Sequence, residues 1–204
     1  TAMTYHVARY TGLSLKDWTA LQPLVFAFIS YITLILAVKQ LTNNNKFAVA
    51  SAAAFNTLLP AASDRTIVGF VEKTGIAVAF IFLAIYFYSK LARIVNDNRA
   101  WGSRKLLYTV LTALSIAVVG WFWGGYVYFL GAFVAFIVLY PVFNPRAITL
   151  NYLLYHYLLV ALAIVFVTPS PANLVALGFI PFRVKSLGIA LLASLALPAI
   201  FYLL

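Results

Sequence analysis

Cysteine is absent from the chain, which excludes disulfides, thiolate metal sites and iron–sulfur clusters. Acids are nearly as scarce: Asp17, Asp64, Glu72 and Asp97 are the only carboxylates in 204 residues. So few leave little for acid–base hydrolysis or for carrying a divalent metal. No nucleotide-binding loop, HExxH, GxSxG or metal-spaced carboxylate set is present. Charged residues make up 9% of the chain, where a soluble domain has about a quarter. The short alternating segments of a membrane β-barrel are also missing.

Apolar residues fill the space. They are 65% of the chain, and the mean hydropathy is +1.00. Several separate apolar runs exceed about 18 residues, which marks a helical membrane protein rather than a signal peptide or a single anchor. One stretch from Leu106 to Tyr140 holds no charged residue. As one helix it would measure roughly 50 Å, against a hydrocarbon core of about 30 Å. Its centre, Gly120-Trp-Phe-Trp-Gly-Gly-Tyr126, has the rings that favour the headgroup level and the glycines that permit a reversal. Two short spans joined by an aromatic turn are expected.

The chain therefore reads as all-α, a polytopic helical integral membrane protein with six or seven transmembrane helices in a single bundle. Spans are expected at about 15–38, 66–95, 106–120, 125–142, 145–167 and 186–204, with 47–62 either a short span or re-entrant. Ser14-Leu-Lys-Asp17 fits a capping box at the first start. Ala48/Ala52 and Ala50/Ala54 have the spacing that lets helices approach closely. Asn144-Pro145 reads as a cap followed by proline at the first helical position. Thr1-Ala2 ahead of Met3 reads as a vector remnant. The apolar run at Leu204 implies either a C-terminus within the membrane or a longer chain.

The net charge is +10. In a membrane protein this excess orients the spans and meets anionic lipid heads, so nucleic acid is not an expected partner. Lys90, Arg93, Arg99, Arg104 and Lys105 face only Asp97, which places the Lys90–Lys105 connection on the cytoplasmic side. The aromatic turn at Trp121–Gly125 then faces away from the cytoplasm.

His156 is the first candidate for chemistry. Counted from Pro145 it lies eleven residues on, about 16 Å along a helix, near mid-membrane. An ionisable ring at that depth could relay a proton or contact a polar solute with Tyr152 and Asn151. It could equally be a neutral imidazole bonded between helices. A bis-histidine haem would need a second intramembrane histidine, and no cofactor is expected. Asp64, Arg65, Glu72 and Lys73 are the second group; Arg65 and Glu72 are two turns apart and could line a vestibule or simply close a loop. Asn56 is a polar group inside an apolar segment, as fit for helix–helix contact as for solute. Lys90, Arg93, Asn96 and Arg99 recur every third residue but run into a polar stretch, so a solvated helix end is expected rather than a voltage sensor. Trp121, Phe122, Trp123, Tyr126 and Tyr128 read as an interfacial belt.

Apolar segments interrupted or bounded by Pro23, Pro60, Pro169, Pro171, Pro181 and Pro198, a His156–Tyr152 pair, a positive surface and few acids point to a small transporter or channel for a neutral or anionic solute. Its partners would be the lipid bilayer, that solute or a lipid, and a second copy or other membrane subunits. Two alternatives stay open. One is a non-catalytic membrane subunit or scaffold, with or without pigments. The other is an intramembrane enzyme on lipid or polyprenyl-phosphate substrates, with Arg146 or Arg183 holding phosphate.

Overall fold

Local capping chemistry sets the first helix. Ser14 is extended, with φ −62° and ψ 151°, and its hydroxyl accepts the Asp17 amide at 3.1 Å. Helix α1 runs from there over Leu15–Thr42. It ends where Asn43 turns left-handed at φ 54° and donates its amide to the Lys39 carbonyl at 2.8 Å. Asparagine tolerates that conformation better than most side chains. The Asn44 side-chain oxygen then accepts the Phe47 amide at 3.1 Å and starts α2, Asn45–Leu58. Two asparagines thus end one helix and begin the next. The remaining helices are α3, Lys73–Ile94; α4, Ser103–Phe122; α5, Tyr126–Phe143; and α6, Leu150–Val167.

The computed structural model describes residues 9–58, 73–95, 102–123, 125–144 and 148–167, with 196, 199–200 and 202–203. Among these residues the chain is all-helical, without a strand. Among the described residues four helices are long and apolar enough to cross a membrane: Leu15–Thr42, Gly75–Ile94, Ser103–Phe122 and Leu150–Val167. Tyr128–Tyr140 is a shorter apolar helix. Most of the expected 186–204 span, the whole 59–72 stretch that includes Arg65 and Glu72, and Pro145 lie outside the described residues.

The chain divides into two compact units, Thr1–Leu83 and Ala84–Leu204, and the boundary falls inside α3. In the first unit α1 packs along α2. Ala48 and Ala52 are fully buried there, with Leu34 and Ala37 of α1 also in the core, because methyl side chains let two helices approach closely. Ala50 is exposed, so only the first of the two alanine pairs is packed. Phe55 meets Phe82 edge-on at 5.4 Å.

In the second unit α4 packs most extensively on α6. The two run parallel. Their starts meet where the Gly102 amide donates to the Tyr155 hydroxyl at 3.4 Å, and their ends meet where the Trp121 indole donates to the Phe166 carbonyl at 2.9 Å. Gly120 permits this closeness: a Cβ there would lie 2.9 Å from a Val167 methyl. Between α4 and α5 the Tyr126 amide donates to the Trp123 carbonyl at 3.2 Å. The Trp123 ring lies over Gly125 and leaves no room for a side chain. Large apolar groups face outward, among them Phe28 at 65% exposure, Phe143 at 83% and Val165 at 61%. Such a surface suits lipid and not water.

Candidate functional site

Helix α6 begins later than the Asn144-Pro145 pair suggests. Its cap is Thr149, whose hydroxyl accepts the Tyr152 amide at 3.1 Å and whose carbonyl accepts the Leu153 amide at 3.1 Å. Asn144 instead ends α5, donating its amide to the Tyr140 carbonyl at 3.0 Å. Counted from this start, His156 lies six residues into α6, about 9 Å along the axis. Its neighbour Tyr155 touches the start of α4, with the Lys105 ammonium 5.8 Å from the ring centre. His156 therefore sits toward the end of the second unit that carries the Lys90–Lys105 connection.

The histidine is buried, at 2% exposure, and both ring nitrogens are engaged. Nδ1 lies 2.7 Å from the Tyr152 carbonyl, which can only accept, so Nδ1 carries the hydrogen. In the neutral ring Nε2 is then the acceptor, and the Tyr88 hydroxyl donates to it at 2.9 Å. Tyr88 comes from α3, so this bond ties the C-terminal half of α3 to α6. Its ring is held edge-on by Phe133 at 4.6 Å and Phe136 at 5.9 Å, both from α5.

Tyr152 completes the cluster for a reason written in α5. Pro141 has no amide hydrogen, so the Ile137 carbonyl loses its normal partner four residues on. The Tyr152 hydroxyl donates to that carbonyl at 2.8 Å. The Tyr152 ring lies 3.9 Å from His156 on one side and stacks on Tyr140 at 6.2 Å and 18° on the other. The Tyr140 hydroxyl in turn accepts from the Asn144 side chain at 3.2 Å. One continuous polar and aromatic column thus runs from Asn144 to Tyr88.

Of the residues the sequence nominates, His156 and Tyr152 come together here. Asn151 is half-buried on the same helix and has a partner of its own. Asn56 is on α2, in the first unit, with its side chain outside the described residues. Arg65 and Glu72 lie outside them altogether. Tyr88, Tyr140 and Pro141 were not nominated. Pro141 carried a readable signal, since a proline late in an apolar span always orphans a carbonyl one turn earlier. Tyr88 carried none, because its partner is 68 residues away. Among the described residues no three histidine or acidic side chains converge to hold a metal. To ligate any group, the imidazole would first have to give up one of its two bonds.

No protein-family model matches the chain, and no curated protein matches it in sequence.

Proposed function

We propose that this chain is a small polytopic transporter or channel that passes a neutral or anionic solute, with six or seven spans and the Lys90–Lys105 connection in the cytoplasm. The observation that carries this reading is the Tyr88–His156 bond, a buried link between two helices of membrane-crossing length. Interhelical hydrogen bonds in membranes are worth about 0.6 kcal/mol on average. A link of that strength can open in each cycle at little cost. Opening would free an imidazole nitrogen and a phenol to meet a polar solute. The scarcity of acids and the net positive charge favour a solute that is not a cation. Asn151, on the same helix as His156, is kept as a further solute contact; Arg65, Glu72 and Asn56 are proposed as solute contacts on the sequence alone.

The test is flux through the purified chain in liposomes, against neutral polyols and inorganic anions. H156A and Y88F should each change the rate while the protein still folds. Unchanged flux in both variants removes this bond from the transport path.

A second reading is supported by the closure of the same site. Both His156 nitrogens are satisfied inside the chain, as in a helix-packing element of a membrane scaffold or a subunit of a larger complex. Purification from native membranes in mild detergent separates the two: stoichiometric company of other chains favours the scaffold, a self-oligomer or lone chain favours transport.

A further inference from the structure

Helices α3 and α4 bring their charged ends together. Phe87 and Tyr108 are in ring contact at 6.4 Å, which sets the C-terminal turns of α3 beside the first turns of α4. Lys90 sits on this end with its ammonium 5.5 Å from the Tyr86 ring. Arg93 and Arg104 are both exposed there. Lys105 is turned inward, 4% exposed, over Tyr155.

The first turn of α4 holds no acid, and its cap Gly102 offers no side chain. Cations near a helix N-terminus are ordinarily unfavourable, since that end is already partly positive. The sequence between 90 and 105 supplies five cations and one acid. Leu107, three residues on from Arg104 and so on the same face of α4, is 52% exposed. Exposed cations with an exposed leucine one turn further along the same face match a ligand that is anionic at one end and apolar at the other.

We infer that this end of the second unit seats an anionic phospholipid, its phosphate headgroup on Lys90, Arg93 and Arg104 and its acyl chain along Leu107. A free phosphate would satisfy the cations but has no use for the leucine. This inference does not depend on what the protein transports or whether it transports.

The test uses the full chain reconstituted with phosphatidylcholine and phosphatidylglycerol, then extracted for lipid-retention mass spectrometry. The wild-type chain should retain phosphatidylglycerol above its share of the mixture, and rising salt should erode that enrichment. Each cation near an anionic surface is worth about fivefold, so K90Q/R93Q/R104Q should lower the enrichment by up to about 100-fold at low salt. K39Q/K46Q, which removes cations from the connection between α1 and α2, should leave it in place. Competing glycerol phosphate should not displace the lipid, because it lacks the chain. The inference is overturned if the wild-type chain shows no enrichment, if K39Q/K46Q reduces it as much as the triple change, or if glycerol phosphate displaces the lipid. The wild-type measurement stands even if the triple variant does not fold.

Discussion

Replacing Tyr152 with phenylalanine removes one oxygen and keeps the ring that lies against His156 and Tyr140. What it exposes is a backbone problem on another helix. Ile137 is fully buried, and its carbonyl has neither an amide from Pro141 nor, after the change, the hydroxyl 2.8 Å away. A buried acceptor left without a partner costs about 1–3 kcal/mol. Interhelical bonds in membranes average about 0.6 kcal/mol and reach about 1.7. This one lies near the top of that range, about 1.5 kcal/mol, because the acceptor is fully buried. For a chain of this size that is a fall of about 3–6 °C in unfolding midpoint. The decisive comparison is the same change made in a P141A background. Alanine restores an amide to Ile137, so the hydroxyl becomes redundant and Y152F should cost under about 0.5 kcal/mol. Thermal unfolding of the four proteins of this cycle in detergent gives the coupling directly. Equal costs of Y152F in the two backgrounds would refute the assignment of Tyr152 to the proline gap.

Other expectations rest on separate contacts. Y88F strands the His156 Nε2 acceptor in a buried site and should cost about 1–2 kcal/mol, whereas H156A also leaves a cavity and should cost about 2–4 kcal/mol by the same unfolding measurement. G120A places a Cβ 2.9 Å from a Val167 methyl; it should destabilise by about 1–3 kcal/mol, and adding V167A should recover part of the loss. T149A removes the hydroxyl that caps α6 and should cost about 1 kcal/mol, with no comparable effect from N144A if Thr149 is the true cap.

Much of the local structure was legible because it depends on neighbours in sequence. Ser14 and Asp17 are three apart, and the cap they form needs nothing else. Small residues four apart mark a face where helices approach, but sequence could not choose between two alanine pairs. Packing against α1 chose Ala48 and Ala52. The start of α6 was misplaced for a similar reason. Asn144-Pro145 and Thr149 both carry capping chemistry, and the first also suits the end of α5. That shift of about one turn and a half leaves His156 six residues from the start of its helix instead of eleven.

The sequence alone determined that this chain is helical and apolar enough for a membrane, since length, hydropathy and charge are properties of the residues themselves. It also singled out His156 and Tyr152 as buried polar groups that need partners. Only the tertiary structure decided which partners they have. Tyr88 reaches His156 from another helix, and Tyr152 answers a carbonyl that Pro141 left bare on a third. Hydrogen bonds across helices are set by packing distance and register, and neither is encoded in any local spacing.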